Sequence, residues 1–563
     1  MRRSISVMLK LTLISSMLTV VLLECDSQEG GNLADSDPSL SQHSVSFYPE
    51  IGLSKHNPPI ELTMVRETGE DLEELLRHLP GETLEHNRWT RLYEEVLGIR
   101  ITYDWTAAGS MYRQKFGVSM ASGQLPDVIR VNAEQLRQLS NAGLIQDLSE
   151  VYDTYATPLT KRILLEEGSF PFDAATMDGK LMGIPETVSS IEGAMFLWIR
   201  SDWLTKFGLK PPQTMEDVLM ISKAFTERDP DHNGLHDSYG LALADYLWSP
   251  VVGIKGFMAG YGAYPNIWVE DGNGRLVFGG IQPEVKQALL ALQAMYRQEQ
   301  LDAEFAWKDG NKAKSLIAQG KIGMMYGEQW GSFFVQPSRE ADPQADWRAY
   351  PIVSVSGEAP KIPLMQQTGH FYAVKKDYPH PEAIVKLFNL HLEKNWGKTA
   401  EYDTYYSTPY PAWQLSPVTP YPPKKNLTAY LELEQYRRSG DNNNLNGEAR
   451  AIQDKLDQYY SSGGGSSTGW GWERTYGPGG AFSILDQYEQ NGQLLYDLYA
   501  GPITEAMIER QEMLSNLQHE AYINIILGDP IEEFDQFVEE WNNLGGERMT
   551  REVNQWYEGN KRS

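Results

Sequence analysis

Cys25 is the only cysteine of this chain, so no disulfide can cross-link whatever it folds into. A body of this length must be held by the size of its core, with or without a metal. The cysteine follows the one continuous apolar stretch. Arg2, Arg3 and Lys10 make a basic start, and Leu11 to Leu23 is apolar apart from a few Ser and Thr. That order is the n-region and h-region of a secretory signal. Thirteen residues fall short of the ~20 that a helix needs to cross a bilayer, and no second stretch of ~18 apolar residues follows.

Leu22-Leu23-Glu24-Cys25 resembles a bacterial lipobox, with Leu at the third position before the cysteine. Glu24 departs from the pattern, which places a small residue there. Cys25 is therefore the expected lipid attachment point, and diacylation plus N-acylation would bury enough CH₂ groups for a stable anchor. Asp26 to His56 is rich in Ser, Asp, Gly, Gln and Pro. It cannot bury enough apolar surface to offset its ordering entropy and reads as a flexible tether.

The remainder is long enough for two or more domains. The whole chain is 41% apolar, with 15 Trp and 30 Tyr, which leaves aromatics to spare for a binding surface. The formal charge of −27 becomes about 2 units more negative once Arg2, Arg3, Lys10 and Glu24 are removed. Such a body lacks the clustered Lys and Arg that nucleic acid requires.

Short apolar runs alternate with helical periodicity. Strands are expected at Glu61–Val65, Ile99–Tyr103 and Asp127–Ile129, and helices at Arg88–Leu97, Met111–Ser122, Ala133–Ala142, Val285–Gln298 and Glu382–Glu393. The alternation implies an α/β fold with a parallel or mixed sheet. Thr404–Lys425 is Pro-rich and Ser461–Gly480 is rich in Gly, Ser and Trp, so both read as loops. Amphipathic helices return at Ile503–His519 and Glu532–Leu544.

Several segments, in order, carry a family likeness: Asn87 to Glu95 with Gly98-Ile99, Ala121 to Val128, Gly143 to Leu148, Asp178 to Pro185, Ile199 to Leu204, Gly320 to Met325 before Trp330, and Glu552 to Tyr557. Together they resemble the extracellular solute-binding proteins of bacterial ABC importers, of the maltose-binding-protein type. The likeness extends to the large lipoproteins of Gram-positive soil bacteria and the alginate-oligosaccharide-binding proteins. The resemblance implies a two-lobed periplasmic-binding-protein-like fold. Residues 1–24 would be the signal peptide, 25–57 the lipid-anchored tether and 58–187 the first lobe. Residues 188–367 would form the second lobe, 368–425 a return to the first, and 426–563 mainly the second lobe again. It also implies an oligosaccharide ligand, ABC permease subunits as partners, a monomer, and a lipid-anchored place on the outer face of the cell membrane.

The sharpest local chemistry is Asp229-Pro230-Asp231-His232-Asn233-Gly234-Leu235-His236-Asp237. Asp229, Asp231, Asn233 and Asp237 fall at positions 1, 3, 5 and 9 of a calcium-loop spacing, with Gly234 at position 6 for the sharp turn. Leu235 at position 7 would ligate through its carbonyl. Gly240 stands at position 12, so the bidentate Glu of an EF-hand is missing. In the alginate-binding relatives a similar loop binds calcium beside a carboxylate at position 10, where this chain has Ser238. A structural Ca²⁺ in the loop 229–240 is the expectation; an Asx-rich turn without an ion is the alternative.

Sugars are held by aromatic faces with carboxylates and amides around them. Trp330 resembles a Trp that stacks on sugar in the maltose-binding type. Trp248, Trp268, Trp413, Trp470 and Trp472 are further candidates, the last two because their glycine-rich surroundings do not force burial. Glu186 and Glu328 are the polar candidates. No H-E-x-x-H or C-x-x-C occurs, and Gly397-Lys398-Thr399 lacks the first glycine of a P-loop. The expectation is a binding protein without enzymatic activity. The rivals are a secreted glycoside hydrolase or lyase using a carboxylate pair, and a sensor that presents sugar to a membrane kinase.

Overall fold

A computed structural model describes residues 51–560, leaving out 231–232, 367–368, 408–409 and 465–468. The signal, Cys25, most of the tether and the expected ligand Asp231 lie outside the described residues. The chain divides into two compact units. Of the described residues, one comprises 51–130, Glu150–Thr160 and Val374–Thr419, the other Val131–Ser149, Lys161–Ala373 and 420–560.

In the first unit the expected strands lengthen to Ile60–Thr68 and Ile99–Ala108, paired in parallel from Ile60 opposite Ile99, with a bulge at Met64/Val65. The helix expected at Arg88–Leu97 begins at a capping box, where the Asn87 side chain accepts from Trp89 N and Thr90 N and Thr90 Oγ1 accepts from Asn87 N. Its second half, Tyr93–Leu97, widens to a π-turn that Gly98 ends at φ +66°. The helix Glu382–Trp396 is buried along most of its length, which its apolar run Ile384-Val385 and Leu387-Phe388 dictates. Asn389 on it is fully buried and makes four hydrogen bonds. Its amide donates to Gly52 O (2.9 Å) and Tyr155 O (2.8 Å), and its Oδ1 accepts from Thr157 N (3.1 Å) and Thr160 Oγ1 (2.7 Å). Gly52 must be glycine, because a Cβ there would stand 2.1 Å from Tyr155 O.

The second unit holds a mixed four-stranded sheet in the order Trp347–Tyr350, Phe196–Arg200, Ile322–Gly327, Tyr239–Leu241. Phe196–Arg200 runs antiparallel to both neighbours, and Ile322–Gly327 is parallel to Tyr239–Leu241. Every residue of Phe196–Arg200 and Ile322–Gly327 is buried, as continuous rather than alternating apolar runs require. Against the sheet packs Met215–Glu227, capped by Thr214 and Asp217. Glu284–Arg297 packs on the long helix Glu505–Leu527, and Gln293 joins them by donating to Ile525 O and Asp529 O.

Two expectations fail. Ile51 to His56, read as the end of a flexible tether, are packed, with Gly52 and Leu53 buried and His56 N donating to Leu97 O, because Leu53 is apolar and Asn389 and Lys386 hold the backbone there. Ser461–Gly480 is not loop throughout, because Trp470–Tyr476 is a helix. Its glycines serve packing and chain reversal. Gly469 opens the helix at φ +87°, and Gly471 lies so close to Phe333 that a Cβ would meet the ring at 2.6 Å. Thr404–Lys425 is irregular as expected, containing among its described residues only the turns Asp403–Ser407 and Ala412–Leu415 before a helix starts at Lys425.

Asn389→Ala strips partners from four groups, three of them on the backbone, that reach across separate segments of the first unit. A loss of about 3–5 kcal/mol is expected, since each orphaned buried group costs ~1–3 kcal/mol. Urea unfolding followed by circular dichroism measures it, and a parent-like midpoint would show that water replaces the amide.

Candidate functional site

The chain leaves the buried strand Ile322–Gly327 through Glu328-Gln329-Trp330 and enters the helix Gly331–Ala341. This turn is clamped. Glu328 N donates to Pro250 O (2.9 Å), and Glu328 O accepts both from Gly331 N (2.9 Å) and from the Trp198 indole (3.2 Å). The side chains are fixed in turn. The Trp330 indole N–H donates to Glu328 Oε2 at 2.9 Å, and Lys255 Nζ stands 3.8 Å from Glu328 Oε1. Burial raises the Glu328 carboxyl above the ordinary range, and Lys255 and the indole N–H oppose the rise. The Glu328 side chain retains 17% exposure and Trp330 is half-buried, so a fixed ring and its carboxylate partner stand together near the surface of this unit.

Gln329 points the other way. Its Nε2 donates to Glu192 Oε2 (3.0 Å), which also accepts from Asn426 Nδ2 (3.1 Å). Lys425 Nζ donates to Asn426 Oδ1 (2.9 Å) and to Glu448 (3.0 Å). Burial pushes the Glu192 carboxyl up to about 7, against the pull of Lys425 and the two amides. Thr475 Oγ1 donates to Gln329 O (3.1 Å) and shares a 2.7 Å hydrogen bond with Ser332 Oγ. Those bonds tie in the helix Trp470–Tyr476, which carries Trp472, half-buried, edge-on to Phe333 and stacked on Tyr476. Beside Lys255 lies a cavity of about 20 Å³, lined by Ser190, Gly193, Tyr264, Pro363 and Met365 among others and large enough for about one water. A broader groove of about 480 Å³ between Lys425–Ser439 and Ala481–Gln490 presents Glu434, Arg438 and Asp486 but no Trp.

Of the residues singled out in the sequence, Glu328, Trp330 and Trp472 thus belong to one hydrogen-bonded assembly. Trp470, on the same helix, is 1% exposed beneath the Arg474 guanidinium. Trp268 is buried against Phe278, with its backbone N–H on Asp497. In this conformation neither ring offers a face. Trp248 is half-buried and edge-on to Tyr522. Glu186 is buried, accepting from Tyr372 OH (3.4 Å) with His370 Nδ1 at 3.8 Å. Trp413 belongs to the other unit, half-buried and stacked on Tyr406. Glu192, Gln329, Asn426 and Lys255 carried no sequence signal, because the segments that meet here are distant along the chain.

The loop expected to hold calcium is a tight turn. Asp229, at φ +45°, accepts from Asn233 N (3.1 Å) and Gly234 N (2.9 Å), and Asn233 Oδ1 accepts from Leu235 N (2.7 Å). Asn233 Nδ2 donates to Asp237 Oδ1 (3.1 Å), while Asp237 Oδ2 pairs with Lys321 at 2.6 Å. Ser238 Oγ donates to Phe225 O and is buried. Asp229, Asn233 and Asp237 carry the hard oxygens of this loop, and Lys321 is the cation placed on Asp237.

Two compact units with a mixed sheet define the architecture of a two-lobed binding protein. The calcium-free form of the alginate-binding protein AlgQ2 shares it, with a TM-score of 0.58 at 15% identity over 90% of this chain and 100% of that one. The chain belongs to the bacterial extracellular solute-binding protein family, whose model matches residues 85–397. The lipoprotein LipO of Bacillus subtilis (strain 168) is 24% identical over 83% of this chain and 88% of its own. The fructooligosaccharide ABC transporter substrate-binding protein FusA of Streptococcus pneumoniae serotype 4 is 25% identical over 43% of this chain and 45% of its own. Its complex with kestose superposes with a TM-score of 0.57, and so does an EF-hand mutant of it.

Glu192 makes the second unit pH-sensitive. Its folded value lies near 7 and its ordinary value is 4.5, so between them the folded chain holds a proton that the unfolded chain has lost. Stability is full below about 4.5 and falls as pH rises through 7. Glu192→Gln removes the effect, worth roughly 1–3 kcal/mol. Its melting temperature relative to the parent should rise from pH 5 to pH 8 in differential scanning calorimetry. A constant difference would place the carboxyl's titration elsewhere.

Proposed function

We propose that this protein captures an oligosaccharide outside the cell for an ABC permease, held to the membrane by lipid on Cys25. Family membership supports a binding role, and the names of FusA and LipO support the sugar and the lipid. The observation that carries the sugar reading is the indole of Trp330 hydrogen-bonded to Glu328. An aromatic ring locked at one edge has little rotamer entropy left to lose when a pyranose stacks on it. The Glu328 carboxylate and Lys255 then supply an acceptor and donors for hydroxyls. Trp472 offers a second platform. Saturable quenching of tryptophan fluorescence is expected with members of a panel of neutral and acidic oligosaccharides, the sugar being recovered intact. Trp330→Ala should weaken binding at least ~10-fold, about 1.4 kcal/mol. Equal affinity in the variant would remove Trp330 from the site, and cleaved sugar would make the protein a hydrolase or lyase.

The loop Asp229–Asp237 would hold a structural calcium through Asp229, Asp231, Asn233, Asp237 and the Leu235 carbonyl, the ion taking the place of the Lys321 ammonium on Asp237. The EF-hand described for FusA and the calcium-free form of AlgQ2 support this reading. Binding to the folded state alone raises stability by RT ln(1 + [L]/Kd). Millimolar calcium should therefore raise the melting temperature, a chelator should lower it, and Asp229→Asn should abolish the difference. Identical melts with calcium and chelator in the parent would leave only the Asx turn.

A further inference from the structure

In the first unit His56, His380 and Glu382 bring one ligand atom each within 4.8 Å of one another. His56 lies just ahead of the strand Ile60–Thr68, and its backbone N–H is held by Leu97 O at 2.8 Å. Glu382 is the first residue of the helix Glu382–Trp396, and His380 precedes it by two positions. Glu382 Oε1 stands 3.7 Å from His56 Nε2 and 3.6 Å from His380 Nδ1. The imidazole rings meet edge to face, with centroids 5.5 Å apart.

We propose that these three side chains form a site for one divalent transition metal of the zinc class. A tetrahedral zinc with ligands at ~2.0–2.1 Å sets neighbouring ligand atoms about 3.3 Å apart. The two His–Glu separations lie within a few tenths of an ångström of that, so a small inward rotation completes a His₂Glu face. Two imidazoles and one carboxylate select zinc or its neighbours over calcium or magnesium, which favour all-oxygen shells. Access is on the His380 side, whose side chain is 39% exposed, against 12% for His56 and 15% for Glu382. Solvent would supply the fourth ligand there.

Lys386 opposes the ion. Its ammonium lies 3.4 Å from His56 Nε2, the atom that would bind metal, and donates to Ser54 O (2.8 Å) and Ser54 Oγ (3.1 Å). The Ser54 acceptors let it stay in place when a metal takes the imidazole lone pair, with its charge still close by. Tyr378 packs edge-on to His380. A metal here would fasten the segment that leads into the first strand to the first turn of the helix. Its role is that of a clamp, independent of the sugar and calcium readings.

The test is isothermal titration of the purified, chelator-treated protein with zinc chloride, in a non-coordinating buffer at pH 7.5 with millimolar calcium present. One equivalent should bind and raise the melting temperature. His380→Ala, at an exposed position, should weaken binding about 100-fold or more, since even supporting residues around a metal are worth 10–100-fold. Lys386→Met should tighten it, and Asp229→Asn should leave it unchanged. No saturable binding, or binding that survives His380→Ala undiminished, overturns the proposal. Loss in Asp229→Asn would move the zinc to the oxygen loop and overturn it as well.

Discussion

The position of the candidate site depends on how closely the turn after Gly327 lies on the indole of Trp198. Trp198 is at the centre of a wholly buried strand, and its indole donates to the Glu328 carbonyl. Gly331 passes so near that a Cβ would stand 2.4 Å from the Trp198 ring nitrogen. On the other side Val251 bridges Gly327 and Pro250 accepts from Glu328 N. The backbone of Glu328-Gln329-Trp330 is therefore gripped from the sheet below and from the neighbouring segment. The Glu328 side chain and the Trp330 ring inherit that rigidity through their own hydrogen bond. A surface built this way is preorganised, so a ligand that used it would not have to order it first.

The first unit has no disulfide, and its two long strands, Ile60–Thr68 and Ile99–Ala108, pair only with each other, so buried polar side chains connect its segments. Asn389 ties three of them together. His391, fully buried, is pushed down to about 3 by the loss of hydration. It is thus neutral across the physiological range, and its ring nitrogens serve as hydrogen-bonding posts to Ser416 and Asn395 rather than as a switch. Arg66 gathers the carbonyls of Gln414, Leu415 and Ser416. The Pro-rich stretch, which cannot satisfy its own acceptors as a helix or sheet would, is held by one guanidinium that donates to three of them.

What could be read from the sequence was local. The strand at Ile99 and the helices at Glu284 and Glu382 announce themselves by apolar spacing over a dozen residues. The calcium spacing is likewise contained in nine residues, and Glu328 and Trp330 are near neighbours. The helix Trp470–Tyr476 was hidden because Gly469 and Gly471 read as flexibility. In the fold they permit a left-handed helix start and close contact with Phe333. Trp470 is buried for the same reason, since a helix pressed this close turns one face wholly inward. Glu192, Asn426 and Lys425, and equally His56 with His380, come from segments separated by hundreds of positions. No periodicity links them, and only the folded chain brings them into register.

An excess of carboxylates would suggest that cations bind this protein easily, but the local arrangement decides otherwise. Charges further than a Debye length of ~8 Å are largely screened, so the formal −27 counts for less than the nearest lysine. Each candidate ion site has one. Lys321 sits on Asp237 at 2.6 Å and Lys386 beside His56 at 3.4 Å. The two differ in where the ammonium can go. Lys321 begins the buried strand's approach, with its carbonyl fixed by Tyr239 N, yet its side chain is 19% exposed and can turn to water. Lys386 is 3% exposed and anchored by Ser54. Calcium in the oxygen loop would thus displace a lysine that has solvent to receive it. A metal on the two histidines must bind beside one that stays, and its affinity rests on imidazole ligation strong enough to outweigh a neighbouring positive charge.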